Sequence, residues 1–412
     1  MISTINREDR IVIIAILGHF LTHMSILIFP AITVPLSREL GLSLSESFML
    51  GFLMYFLYGA FAILVGFIAD RWSRLQMLRL CIAGIGLFSI MAGLMSNITL
   101  FVISLAGLGL SCSLYHPAGL GLISNEIKKQ GNAHGINGVF GSLGIGAAPL
   151  LAGSVMLFLN WRYVYIITGI LALIGLSVTY ILSFKESEKG AKSNFKSSVN
   201  PNVLYFVLLA IAMMFAGFAY RANMTILPAY FLAETKLIID FLSTNINIHM
   251  IKEGDVGYAN LLVASLLLFS IVGQYIGGKL ADIYDLRKTY LIFQSLSLPF
   301  AFGMWLFSDI GLYIAAGMHL FFALGMQPLE NSLLSKFVPQ QLLSTAYGIK
   351  FTLTFGVGSL AVYQVAWIEQ LFQLRDVYIL IMAQLILVII FAALLLTISK
   401  RKHSFIGNRK TV

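Results

Sequence analysis

Charge is what this sequence has least of. Only 11% of its 412 residues are Asp, Glu, Lys or Arg, against roughly 25% in soluble globular chains. That leaves too little polar surface to solvate a globule, so most of the exterior must face lipid. Cysteine is nearly absent. Cys81 and Cys112 both lie inside apolar runs and read as core thiols, with no disulfide framework implied. There is no Walker A loop, no His-Glu-x-x-His and no paired carboxylates inside the apolar runs. ATP-driven pumping and membrane-embedded hydrolysis therefore lack their residues, and neither an enzyme nor a cofactor is expected. The run from Ile11 is too long for a cleavable signal peptide and lacks a small-residue cleavage site.

What is present is apolar sequence: 58% of residues are hydrophobic. A membrane-spanning helix needs about 20 apolar residues, and twelve such runs are expected. They fall near 11–36, 46–69, 76–96, 99–123, 133–158, 161–184, 202–232, 256–281, 289–308, 310–335, 342–368 and 374–398. The net charge of +9 does not point to nucleic acid, because the excess sits in short loops. With both termini placed in the cytoplasm, 20 of the Lys and Arg residues fall on the cytoplasmic side and 5 on the other, a strong positive-inside bias. Residues 185–201 are polar and read as a cytoplasmic linker between an N-terminal bundle (1–184) and a C-terminal one (202–412). An outer loop at about 233–255 is expected to carry a short interfacial helix, and the chain ends in a basic tail.

The two halves repeat. Gly66 and Asp70 near the end of span 2 match Gly278 and Asp282 near the end of span 8, 212 residues on. His116-Pro117 in span 4 matches Gln327-Pro328 in span 10, at an offset of 211. Ala133 to Asn137, opening span 5, matches Ala346 to Lys350 in span 11, at 213. Pro30-Ala31 in span 1 matches Pro228-Ala229 in span 7, at 198, and the longer outer loop accounts for the jump. Parallel repeats of this kind put a solute site at the interface of the halves near the bilayer midplane.

These features resemble the major facilitator superfamily over the whole chain. Its loop signature, Gly-x-x-x-Asp-Arg-x-Gly-Arg, reads here Gly66, Asp70, Arg71, Ser73, Arg74, and the second copy keeps Gly278 and Asp282 with Arg287 nearby. Asp70, Arg71, Arg74, Asp282 and Arg287 are expected to hold an inner gate, or else to anchor topology. Gly141, Gly144, Gly146, Pro149 and Gly153 in span 5 are similar to an exporter glycine-proline motif, which generic helix packing would also explain. Gly18-His19-Phe20, His116-Pro117 and those glycines look most like the fosmidomycin-resistance-like efflux proteins. The resemblance implies an all-α fold of two pseudo-symmetric six-helix bundles, with spans 1, 4, 7 and 10 lining a shared, water-reachable chamber.

An ionisable group at the bilayer centre costs roughly 2.5–3.5 kcal/mol on insertion scales, so such groups are candidates for function. Here they are His19, His23, His116, Arg221, Glu330 and Lys350. His19 and His23 are four apart and share a helix face. As a metal site the pair lacks a third ligand close in sequence. His23 and Arg221 are repeat partners, 198 apart, expected to face each other across the pseudo-two-fold axis. Arg221 stays charged and calls for an anion, either solute or a structural partner. Glu330, the only carboxylate well inside a span, is either a proton carrier alongside His116 or one half of a clamp with Lys350. Tyr115, Asn223, Gln327 and Asn331 complete the expected lining.

The reading that follows is a monomeric, proton-coupled secondary transporter of a small anionic organic solute, working by alternating access in a bacterial inner membrane. The alternatives are a drug-efflux antiporter and a transporter-like receptor without flux. Efflux of cations would favour a carboxylate deep in span 1 or span 4, and neither carries one.

Overall fold

The computed structural model describes residues 5–69, 71–127, 130–187, 202–245, 254–338 and 343–399. Among them, twelve helices are long and apolar enough to cross a membrane. Spans 1 to 6 run Arg7–Leu40, Leu44–Ala69, Arg74–Leu94, Ile98–Glu126, Asn132–Met156 and Arg162–Ile181. Spans 7 to 12 run Val203–Glu234, Gly254–Ile283, Leu286–Leu306, Asp309–Phe337, Thr345–Leu371 and Leu374–Ile398. Large apolar side chains such as Leu64, Phe67, Leu87, Leu94 and Ile314 stay exposed, as a lipid-facing surface requires. The chain is an integral, multi-pass membrane protein.

Helix ends follow local chemistry. Asn6 caps span 1 by accepting a hydrogen bond from the Asp9 amide, and Asn202 caps span 7 through the Tyr205 amide. A side-chain oxygen there satisfies an amide that the helix leaves free. Span 1 stops at Gly41, whose φ of 65° suits glycine alone at low cost. Ser73 and Asp285 cap spans 3 and 9, one repeat apart. The loop expected on the outer side carries a helix at Lys236–Asn245. The expected linker is attached at its start: Glu186 accepts hydrogen bonds from the Ser73 hydroxyl and from the Arg74 and Leu75 amides at the N-terminus of span 3, where a carboxylate is favoured. The rest of the linker and the basic tail lie outside the described residues.

The halves meet along two seams related by the repeat, span 2 against span 11 and span 8 against span 5. Small residues make the approach close. A Cβ on Gly59 would lie 2.0 Å from the Gly356 amide nitrogen, and one on Gly153 would lie 2.7 Å from the Gly257 carbonyl oxygen. The glycines of span 5 divide their contacts: Gly141 and Gly144 press on His19 and Phe20 of span 1, and Gly146 and Gly153 on span 8. Among the described residues, hydrogen bonds that cross between halves include Ser142 to Gln274 (2.6 Å), Asn260 to the Ala31 carbonyl (3.0 Å), the Ser45 amide to Glu369 (3.1 Å) and Thr352 to the Gly59 carbonyl (3.3 Å).

Closure is uneven along the axis. Met24 to Thr33 in span 1 and Arg221 to Phe231 in span 7 are buried without interruption, so the side away from the chain ends is sealed. There Leu27, Pro30, Pro149, Met224, Leu227 and Pro228 line a small apolar pocket between the halves. Toward the side carrying the chain ends, Ser124, Asn125, Gly135, Asn331 and Thr345 remain exposed.

The Gly59 contact generates a prediction. Gly59→Val forces a branched side chain into the Gly356 backbone and should destabilise the protein by about 1–3 kcal/mol. Gly348→Ala, whose added carbon would sit 3.5 Å from Ile63, should be silent. Thermal unfolding in detergent compares the two, and equal melting temperatures would place the seam elsewhere.

Candidate functional site

The midplane of the first half is built around three histidines. His19 and His23 project from one face of span 1. His116 comes from span 4, where Pro117 interrupts the hydrogen-bond ladder and residues His116–Leu120 form a π-helical turn. Such a turn costs regular hydrogen bonding and is found frequently at functional sites. The ring centroids of His19 and His23 lie 4.8 Å apart, those of His19 and His116 5.4 Å, and those of His23 and His116 5.5 Å.

Hydrogen bonding fixes two of the protons. A carbonyl can only accept, so His19 Nδ1–H donates to the Asn137 carbonyl at 2.7 Å. His19 Nε2 is then an acceptor when the ring is neutral, and His23 Nε2–H donates to it at 3.1 Å. His116 Nε2 lies 2.8 Å from the Tyr58 hydroxyl, while its Nδ1 is buried without a hydrogen-bond partner. Tyr115 stacks on His19 and donates to Asn137 Oδ1 at 2.7 Å.

Arg221 enters from span 7, 1% exposed. Its guanidinium lies 3.7 Å from the centroid of the Tyr55 ring of span 2, a cation–π contact. Its Nε and Nη1 have no hydrogen-bond partner, and it interacts electrostatically with His23, its repeat partner. Aromatic rings close over the assembly. Phe351 of span 11 stacks on His116 with centroids 4.3 Å apart, and Phe355 stacks on Tyr58 at 5.0 Å. The expected chamber is thus filled at the midplane by rings from spans 2, 4 and 11, and the polar groups sit among them without an open lumen.

A second charged group belongs to the other half. Glu330 and Lys350 form an ion pair at 2.6 Å, both nearly buried. Lys350 also donates to Asn331 at 2.6 Å, and the Tyr290 hydroxyl reaches Glu330 at 3.3 Å. The helix of span 10 breaks at Met326 and restarts at Gln327, which is half-buried. Asn223 accepts from Tyr378 of span 12 at 3.0 Å, which holds it against that helix.

Of the expected gate, Asp70 lies outside the described residues. Arg71 folds back onto its own span, over the Phe67 ring and onto the Phe67 carbonyl. Arg74 packs beside Gly121 of span 4, and Gly66 faces open space. Gly278 lies near Pro328 and Asp282 is exposed. Arg287 pairs with Asp285 at 2.6 Å and reaches the Ser399 carbonyl. Burial alone would push the Asp285 carboxyl up, but the Arg287 bonds and two helix amides hold it below the usual carboxylate range. Sequence reading missed Tyr55, Tyr58 and Asn137. The tyrosines, three apart in an apolar span, were the available signal for the first two.

The Major Facilitator Superfamily profile matches residues 14–237 and 209–411, and the chain belongs to that family. It is 28% identical over 153 residues to the probable L-galactonate transporter of Escherichia coli K12, covering 37% of this chain and 34% of that protein. It is also 28% identical over 152 residues to the multidrug efflux pump SdrM of Staphylococcus aureus N315, covering 35% and 34%. The matches thus span about a third of the length of these relatives. The fold is shared with a bacterial homologue of the human lysosomal transporter Spinster, solved inward-facing and occupied, with a TM-score of 0.69, 14% identity and coverage of 94% and 96%. It is shared too with the peptide transporter POT solved with sulfate, with a TM-score of 0.73, 14% identity and coverage of 97% and 96%.

The buried ion pair predicts an asymmetry. Lys350→Met strands the Glu330 carboxylate and should cost about 3–5 kcal/mol, whereas the double variant Glu330→Gln/Lys350→Met should be closer to wild type. Melting curves of the single and double variants decide it. Equal losses would show that the pair is not coupled.

Proposed function

We propose that this protein is a secondary active transporter of a small anionic organic solute, coupled to protons and working by alternating access of its two halves. The observation that carries this reading is Arg221. It is a fixed positive charge, buried where the halves meet, and its Nε and Nη1 are unbonded. A buried guanidinium stabilised only by the ring faces of Tyr55 and, at 5.9 Å, Tyr220 leaves much of its desolvation cost uncompensated. A carboxylate or similar oxyanion arriving between Arg221 and the histidines supplies what is missing, with bidentate geometry available. The similarity to a transporter named for L-galactonate, itself a carboxylate, supports the same charge class.

The coupling proton is assigned to the histidine cluster. Glu330 is neutralised by Lys350, so protonating it would leave a buried ammonium unpaired. Among the described residues the histidines have no acidic partner; His23 interacts with Arg221, and His116 with Lys350 and the Tyr58 hydroxyl. A proton on the cluster adds positive charge beside Arg221 and an anion bound there offsets both, so by linkage proton and anion favour each other. The efflux alternative draws on the resemblance to SdrM and to fosmidomycin-resistance-like proteins. Against it, the span 5 glycines are all accounted for by contacts with spans 1 and 8. The positive-inside bias supports cytoplasmic termini in a bacterial inner membrane, so the accessible side is the cytoplasmic one. One chain suffices for the site, which supports a monomer.

Counterflow in proteoliposomes with anionic and cationic solutes tests the charge class and, by flux itself, excludes a receptor. Arg221→Ala should abolish anion counterflow in folded protein, and undiminished counterflow would remove the anion argument. His116→Gln should flatten the pH dependence of transport while Glu330→Gln leaves it intact. The reverse pattern would move the coupling proton to Glu330.

A further inference from the structure

We infer that His19, His23 and His116 form a binding site for a divalent transition-metal ion of the zinc and cobalt class. The inference does not depend on the charge of the transported solute, and a metal ion bound here competes with the coupling proton for the same nitrogens. One nitrogen of each ring lies within 4.8 Å of one nitrogen of each of the others. Three imidazoles bound tetrahedrally at 2.0–2.1 Å have ring centroids about 5 Å apart. Here those separations are 4.8, 5.4 and 5.5 Å. The rings therefore already sit at the spacing of a three-histidine metal site, and small rotations about their side-chain bonds bring the nitrogens into register.

Two further observations point to a ligand. His19 gives its Nδ1–H to the Asn137 carbonyl, which holds the ring in the tautomer that presents Nε2. This is the supporting contact that metal-bound histidines characteristically make. His116, 7% exposed, keeps a buried Nδ1 without a hydrogen-bond partner. Neutral imidazoles without carboxylates suit zinc, cobalt, nickel or copper and not magnesium or calcium. Among the described residues no fourth His, Cys, Asp or Glu joins the group, so one coordination position stays open. Arg221 interacts electrostatically with His23 and would repel a bare cation. The fourth ligand is therefore an anion, which neutralises the metal and the guanidinium together. Gly141 is a positioning residue: a Cβ there would lie 2.4 Å from the His19 ring, so only glycine leaves His19 in place.

The test uses the full chain purified without a histidine tag and titrated with Co2+. The expected result is one Co2+ per protein, with the visible absorption of a four-coordinate complex and a cobalt-edge X-ray absorption signal of three imidazoles. His23→Gln, at the half-buried member of the cluster, should abolish that spectrum. Gly141→Ala, which keeps all three ligands, should weaken binding about 10- to 100-fold. His134→Gln, remote from the cluster and bonded to Ser124, should bind as wild type. Absence of Co2+ binding by the wild-type chain, a signal without three imidazoles, or binding undiminished in His23→Gln would each overturn the inference.

Discussion

The structure turns on a guanidinium buried without a carboxylate. Taking a charge out of water costs several kcal/mol even after relaxation, and a tyrosine face returns only about 2 kcal/mol at close range, which Tyr55 offers at 3.7 Å and Tyr220 only at 5.9 Å. Arg221 persists because the helices around it are fixed by other contacts: the Gly59–Gly356 seam, the capped start of span 7 and the uninterrupted packing from Arg221 to Phe231. The cost is held at the centre of the molecule, where the anion proposed above would relieve it. The acid that might have relieved it permanently, Glu330, is claimed by Lys350. Among the described residues the middle of the molecule thus holds one charge pair closed on itself and, at Arg221, one charge without a salt-bridge partner, the two linked through His116, which interacts with Lys350.

Pseudo-symmetry explains the scaffold, and its breakdown explains the site. The seams repeat, and so do the ion pairs on the sealed side, Arg162 with Glu39 and Arg375 with Glu234. The polar middle does not. His19 presses on Gly141 of span 5. Its repeat partner is Gly217, which presses on Thr354 of span 11, the repeat partner of Gly141. The space is the same, but the glycine has moved from one helix to the other. The first half uses the gap for an imidazole, and the second uses it to bring two backbones together. His23 corresponds to Arg221 and His116 to Gln327, so one half supplies groups that can exchange a proton and the other a charge that cannot.

Much of this was legible in the sequence because it depends on local pattern. All twelve spans lie within a few residues of their expected bounds, since length and apolarity alone decide whether a helix crosses a bilayer. The Glu330–Lys350 contact followed from depth, because two charges at one level of neighbouring helices have few other partners. The third histidine was harder. His116 is 93 residues from His23, and only the packing of spans 1 and 4 brings the rings together. Tyr55 was ambiguous for a different reason: a tyrosine in an apolar run satisfies a core position as well as a cation–π contact. The role of the span 5 glycines also stayed open, because small residues show that something approaches closely without naming it.

The irregular turns bear on how such a molecule moves. Span 4 carries its π-turn at His116–Leu120, and span 11 carries another at Thr352–Gly356 followed by a 3-10 turn at Val357–Leu360. Both lie where the halves touch: His116 stacks on Phe351, Tyr58 on Phe355, and Thr352 donates to the Gly59 carbonyl. Rocking one half against the other must separate these partners. A regular helix resists bending because every ladder hydrogen bond must lengthen, whereas a π-turn has already given up part of that ladder. The contacts that couple histidine chemistry to the second half are thus carried by segments that bend at least cost. In the proposed mechanism a change of charge at His116 would act directly on its stack with Phe351, so binding and movement would share one set of atoms.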